Sequence, residues 1–309
     1  MQNIVILGAG GTIAGKAARV DDSVGYQAGA LGVQALIDAV PPLRALPLEA
    51  EQVANLDSKD MDAATWQRLA QRAAHHLARE DVGGVVVTHG TDTLEETAWF
   101  LHRVLAPAKP LVLTAAMRPA SALSADGPRN LLDAVTVATE PGAAGVLVVI
   151  AGEVQAAADL RKRHTTRLDA FRSGEAGPLA LLVDGRVRRL RDWPGGEPLG
   201  LAVIDRDPST WPWVTVLANH AGANGREVPA LLAAGVRGLV VAGTGNGTLA
   251  APLEAALLAA AAAGVPVRRC SRCADGAVID PPGCALPGAG ERSPWQARID
   301  LLLALLAGS

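Results

Sequence analysis

The chain has 309 residues, enough for one large or two ordinary domains with a sizeable core. Half of it is hydrophobic and only 3% aromatic, so Ala, Leu and Val must do most of the packing. The formal net charge of -3 gives no electrostatic footprint for nucleic acid or an acidic membrane, and no run reaches the roughly 18 apolar residues of a membrane span.

The first residues, MQNIVILGAGG, pass straight into an apolar run with no basic leader region, so a cytoplasmic protein is the expectation. In chain order, short apolar runs predict strands at Ile4–Leu7, Val85–Thr88, Leu111–Thr114, Val146–Ile150, Val214–Leu217 and Leu239–Ala242. Helical periodicity predicts helices at Leu31–Ala39, Ala63–His76, Leu94–Leu105, Asn130–Ala138, Glu227–Ala234, Leu249–Ala263 and Pro294–Leu306. The alternation implies an α/β protein with a mainly parallel sheet flanked by helices. Around residues 191–212 the composition turns to Pro, Gly, Trp and charge, as in a linker. The expected organisation is a large N-terminal catalytic domain over 1–190 and a smaller C-terminal α/β domain over 213–309.

The first loop, "GAGGTIAGK", invites two readings that fail. A phosphate-binding P-loop needs Ser or Thr after Lys16 to ligate magnesium, and Ala17 stands there. A dinucleotide fingerprint needs a small residue where Ile13 sits, and a strand-ending acid about 20 residues on. What remains is a strand running into Gly-Gly-Thr. Thr12 there either satisfies the turn or offers a hydroxyl at the carboxyl end of a strand, where α/β proteins bind ligands.

The one tyrosine of the chain, Tyr26, lies in the polar, glycine-flanked "DDSVGYQAG". It is either a loop anchor or a proton-transfer group near Thr12. In "VVVTHGTDTLEETA", Thr93 and Glu96 fit the capping box of the following helix. Gly90, Thr91 and Asp92 are left at the strand tip, where a hydroxyl, a carboxylate and backbone N–H groups suit a polar ligand or an oxyanion. His89 reads as a structural residue. Of 28 basic residues only Lys16, Lys59, Lys109 and Lys162 are lysines. Lys162, between two arginines, is either surface charge or, if desolvated, a group able to give up a proton. In "NLDSKDM", Asp60 is a candidate cap for the next helix and Ser58, beside Asp57, is free for a ligand. Cys270, Cys273 and Cys284 are odd in number, which argues against a disulfide framework, and no second ligand pair accompanies the CxxC spacing, so no metal is expected.

Together, "GGTIAG", "HGTDTLEETA", "AMRP", "SADGPRNLLDA" and "GTGNGT" resemble the bacterial-type L-asparaginase/glutaminase family in order and spacing over nearly the whole chain, and are most similar to its type II branch. The resemblance implies hydrolysis of the side-chain amide of L-asparagine, and of L-glutamine to an extent the sequence leaves open, with no cofactor. It implies that Thr12 is the nucleophile, closed over by Tyr26, with Thr91, Asp92 and Lys162 as the remaining catalytic residues. Asp57, Ser58, Gly90, Thr91, Asp92 and Ala116 fall on the substrate-binding positions. Which of Tyr26 and Lys162 serves as base stays open. The family's fold is a large N-terminal and a smaller C-terminal α/β domain, and its usual assembly is a homotetramer of intimate dimers. Thr248 stands where the family commonly has Asn. The rival readings are a glutaminase-asparaginase with comparable activity on both amides, a nucleotide-dependent enzyme, which Ile13 and Ala17 disfavour, and an inactive amino-acid binder.

Overall fold

A computed structural model describes residues 2–19, 21 and 25–308. Two compact units divide near residue 202. The first begins with β1 (Asn3–Gly10), a short pair β2 (Lys16–Ala17) and β3 (Tyr26–Gln27), helix α1 (Val33–Asp38) and β4 (Leu48–Leu56). It continues through α2 (Ala63–Leu77), β5 (Val82–Thr88), α3 (Leu94–Leu105), β6 (Pro110–Thr114), α4 (Gly127–Ala138) and β7 (Gly145–Ile150). Then come β8 (Glu153–Ala156), a second short pair β9 (Arg161–Lys162) and β10 (Phe171–Arg172), and the hairpin β11 (Ala180–Val183) and β12 (Arg186–Arg189).

Eight of these strands form one sheet in the order β12-β11-β8-β7-β6-β5-β1-β4. The run from β7 to β4 is parallel, with Ile6 opposite Val86 on one side and Ala50 on the other. The last three strands are antiparallel. Parallel strands buried on both faces need apolar residues at every position, which is why β1, β5, β6 and β7 carry Val/Ile/Leu runs, whereas β4, at the sheet edge, is mixed and only partly buried. Ile4, Ile6, Val86, Val112 and Leu147 face α1 and α4, whose Leu36, Ile37, Leu131 and Val135 close one core. The alternate residues Val5, Leu7, Val85, Val87, Leu111 and Leu113 are fully buried beneath the opposite layer. There α2 and α3 pack together through stacked Trp66 and Phe100, 4.9 Å apart, with the indole N–H donating to Thr97 at 2.9 Å.

The second unit holds β13 (Val214–Ala218), α5 (Glu227–Ala233), β14 (Gly238–Gly243), α6 (Ala251–Ala262), β15 (Val267–Ser271) and α7 (Pro294–Ala307). Its three strands are parallel with β14 central, and Leu239, Val241, Leu253 and Leu257 lie in its core. Ser293 and Gln296 form a reciprocal capping box at the start of α7.

The structure adds elements that the periodicity reading does not contain. β15 is hidden in sequence by Arg268 and Arg269. Arg269 is buried only because its guanidinium meets Asp280 at 2.5 Å and the carbonyls of Leu286 and Gly247. β11 and β12 turn at Asp184-Gly185, both with positive φ, a hairpin signature that the sequence does carry. Two capping expectations change. The Thr93 side chain makes no cap bond to α3 and donates instead to the Ser58 carbonyl at 2.8 Å. Asp62, not Asp60, caps α2, accepting from Thr65 N–H at 2.7 Å, while Asp60 pairs with Lys59.

Candidate active site

The strand order places the site. β1 lies between β4 and β5, and the chain leaves β1 toward β4 but leaves β5 toward β6 on the other side. The loops after β1 and β5 therefore diverge, opening a crevice at the carboxyl ends of two adjacent strands, where open α/β sheets bind ligands. Thr12 follows one of these strands and Thr91 the other.

Gly10 and Gly11 both have positive φ, of 96° and 83°. A Cβ on Gly10 would lie 2.4 Å from the Leu56 carbonyl oxygen, and one on Gly11 would lie 2.3 Å from the Gly90 backbone. The glycines thus let the tips of β1, β4 and β5 meet backbone to backbone. Gly11 N–H donates to Leu56 O at 2.8 Å, which turns the chain into the single 3-10 turn Thr12–Ala14. Thr12 is 6% exposed, and its Oγ1 lies 2.5 Å from the Tyr26 Oη. Tyr26 is carried on β3, opposite Ala17. Gly15 leaves room for its ring, since a Cβ there would stand 2.8 Å from the ring carbon Cδ2.

After β4, Ser58 is 2% exposed and its Oγ accepts from Asp92 N–H at 3.2 Å. That bond uses an oxygen lone pair, so the hydroxyl proton remains to donate to a ligand carboxylate. Asp57 accepts from Lys59 N–H at 3.4 Å and pairs with its ammonium at 3.4 Å. It therefore caps the 3-10 turn that presents Ser58.

After β5, Lys162 donates from Nζ to Thr91 Oγ1 at 2.9 Å and to Asp92 Oδ1 at 2.6 Å. Asp92 is half exposed and Lys162 is largely enclosed. Lys162 comes from the two-residue strand β9, whose backbone N–H donates to Glu95 Oε2 at 2.7 Å. Glu95 sits in the first turn of α3 and is 8% exposed, and burial raises its carboxyl above the usual range. Glu95 is missing from the residues expected from sequence, where Glu96 is assigned to the cap; an acid in the first turn of a helix that follows a strand-tip motif is the signal that marks it.

The structure brings the expected residues into two groups joined at the Gly11–Gly90 contact. One holds Thr12 and Tyr26, and the other holds Ser58, Gly90, Thr91, Asp92 and Lys162. Ala116 is fully buried, with its methyl in the core near Gly127 and Ile13, so its backbone is what it can offer a ligand. In the second unit, Thr248 spends its hydroxyl locally, donating to the Thr244 carbonyl at 2.9 Å. Among the described residues no cluster of three or more His, Cys, Asp or Glu is placed to hold a metal ion.

A hydroxyl in contact with a phenol, a second hydroxyl braced by an ammonium–carboxylate pair, and backbone N–H groups at glycine-rich tips with no partner among the described residues are parts that acyl transfer can use. Residues 3–194 match the family described as "Asparaginase, N-terminal", and residues 213–309 match "Glutaminase/Asparaginase C-terminal domain". The chain is 37% identical to L-asparaginase 2 of Bacillus subtilis, over 99% of this chain and 83% of that one. It is 36% identical to the glutaminase-asparaginase of Pseudomonas fluorescens biotype A, over 88% and 75%. The crystal structure of "Probable Cytoplasmic L-asparaginase from Campylobacter jejuni" superimposes with a TM-score of 0.93 at 37% identity, covering 99% of this chain and 95% of that one. The chain belongs to the asparaginase family of amidohydrolases.

Proposed function

We propose that this chain hydrolyses the side-chain amide of L-asparagine to L-aspartate and ammonia through an acyl-enzyme on Thr12. The observation that carries the reading is the 2.5 Å approach of Tyr26 Oη to Thr12 Oγ1 at a glycine-lined strand tip. A threonine hydroxyl is a poor nucleophile until its proton has somewhere to go. As Thr12 Oγ1 attacks the amide carbon, Tyr26 takes that proton and passes its own phenolic proton to the departing nitrogen. The C–N bond breaks, ammonia leaves and a β-aspartyl ester remains on Thr12. Tyr26 thus relays a proton without holding a net charge, which favours it over Lys162 as the partner of Thr12.

Deacylation reverses the path. Thr91, braced by Lys162 and Asp92, positions a water for attack on the ester, and the water's proton returns through Tyr26 to the leaving Thr12 oxygen. The backbone N–H groups at Gly90–Thr91 stabilise the oxyanion in both steps. The Ser58 hydroxyl, on the turn capped by Asp57, holds the substrate α-carboxylate. The free oxygen of Asp92 holds the α-amino group, and the Ala116 backbone flanks the bound side chain. These contacts turn binding energy into orientation of the amide.

L-glutamine is the second substrate to test, because one relative carries glutaminase in its name. We place the working enzyme as a homotetramer on the strength of the family resemblance, and in the cytoplasm because the solved relative from Campylobacter jejuni is named "Probable Cytoplasmic L-asparaginase". The experiment is ammonia release from L-asparagine and from L-glutamine by purified protein, beside Thr12→Ala. Release from asparagine that disappears in the variant is expected. No release from either amide by the wild type would refute the proposal.

A further inference from the structure

His89, which the threonine chemistry does not use, follows β5 directly and has no exposed surface. Burial holds its imidazole down at about 4, so the ring is neutral at physiological pH. Its Nδ1 lies 2.7 Å from the carbonyl oxygen of Gly90. A carbonyl only accepts, so the proton of the neutral ring is on Nδ1 and Nε2 is bare. Nε2 is buried and has no hydrogen-bond partner among the described residues. The ring is therefore not arranged to relay a proton between its two nitrogens. Its one polar engagement is the bond to its own neighbour, and its backbone is fixed too, with His89 N–H donating to Thr114 O at 2.9 Å.

That bond acts on the next peptide. Gly90 has no Cβ to restrict it, so the 90–91 peptide could otherwise rotate at low cost. In a trans peptide the C=O of one residue and the N–H of the next point in opposite directions. Holding the Gly90 oxygen against the buried ring turns the Thr91 N–H the other way, out of the interior, and among the described residues no hydrogen bond engages it. We propose that His89 is a positioning residue, whose Nδ1–H locks the Gly90 carbonyl inward so that the Thr91 N–H is presented to the substrate's amide oxygen. The inference rests on the threonine amidohydrolase reading above and names what holds its oxyanion donor in place.

An oxyanion donor acts mainly in the transition state, so its misplacement lowers kcat and leaves KM nearly alone. Deleting such a donor costs about 100- to 1,000-fold, and loosening it is expected to cost about 10- to 100-fold in kcat for asparagine hydrolysis. The test compares three variants of similar bulk. His89→Asn places an amide N–H where Nδ1 stands, His89→Gln places it nearer Nε2, and His89→Leu supplies no donor. The expected result is Asn within about fivefold of wild-type kcat, and Gln and Leu slowed about tenfold or more with KM within about threefold. Should the buried Leu variant fail to fold, the Asn-against-Gln comparison decides alone, after thermal melting has shown the two to be equally folded. Wild-type kcat in Gln, equal slowing of Asn and Gln, or a raised KM with unchanged kcat would each overturn the inference while the amidohydrolase reading stands. An inactive wild type would overturn both.

Discussion

Gly90→Ala probes the meeting of the three strand tips most directly. The added Cβ would stand 2.4 Å from Ser58 Oγ, 2.8 Å from Ser58 Cβ and 3.1 Å from Gly11 Cα, whereas ordinary contact begins at 3.4 Å. Gly90 lies outside the left-handed region, so alanine brings no backbone strain and the effect is steric. The Ser58 hydroxyl could rotate away, but its Cβ could not, and the Ser58 carbonyl is tethered to Thr93. The β4 and β5 tips must therefore separate by about 0.6 Å, the shortfall of the 2.8 Å contact from 3.4 Å, and the displaced hydroxyl loses its bond from Asp92 N–H. Overpacking of this kind costs about 1–3 kcal/mol, and a displacement of about 1 Å in an aligned site costs about 100-fold in rate. The assay is kcat/KM for L-asparagine with thermal melting alongside. Pairing Gly90→Ala with Ser58→Gly removes both clashing Ser58 atoms. Stability is then expected to return toward wild type, while KM is expected to rise because the hydroxyl proposed to hold the substrate carboxylate is gone. A Gly90→Ala enzyme within threefold of wild-type kcat/KM would refute the idea that the tips need this approach.

Tyr26→Phe keeps the ring and removes the hydroxyl in contact with Thr12. Loss of a positioned acid–base group costs about 100- to 10,000-fold, read as a slowed single-turnover release of ammonia; unchanged turnover would move the proton acceptor elsewhere. A structural prediction concerns Glu51 on β4. The Arg72 guanidinium, at 2.6 Å, holds this carboxyl down at about 2 against an ordinary 4.5, with His76 also bonded. A depressed carboxyl stabilises the fold fully above its unfolded value and loses that contribution as pH falls from about 4.5 toward 2. The full difference would be worth ~3 kcal/mol. Solvent screening of the partly exposed pair reduces it to about 1 kcal/mol. The stability gap between wild type and Glu51→Gln is expected to be about that size at pH 6 and to shrink by pH 3; a gap independent of pH would count against the pair.

The sequence by itself marked most of the parallel strands and the helices, and singled out candidate site residues at their ends. Buried parallel strands must be apolar on both faces, so β1, β5, β6, β7 and β14 stand out as Val/Ile/Leu runs, and the helices between them show in their periodicity. Glycines followed by threonine at two strand ends marked Thr12 and Thr91 as candidate site residues. The Arg-rich strands were less legible. Antiparallel β12 and parallel β15 look like surface charge, and only the pairing of Arg269 with Asp280 shows why an arginine can be buried in β15.

Tertiary structure alone decided which ends meet. Parallel pairing is non-local, and nothing in the local pattern says that β1 sits between β4 and β5. That order creates the crevice, brings Ser58 under Gly90 and sets Gly11 against the same backbone. Lys162 reaches Thr91 and Asp92 from a two-residue strand too short to have a period, held by the buried carboxylate of Glu95. His89 shows the same divide. Its residue type and its place after a strand suggested a structural residue, and it is fully buried. Which peptide it holds, and with which nitrogen, follows only from where the folded backbone puts the Gly90 oxygen.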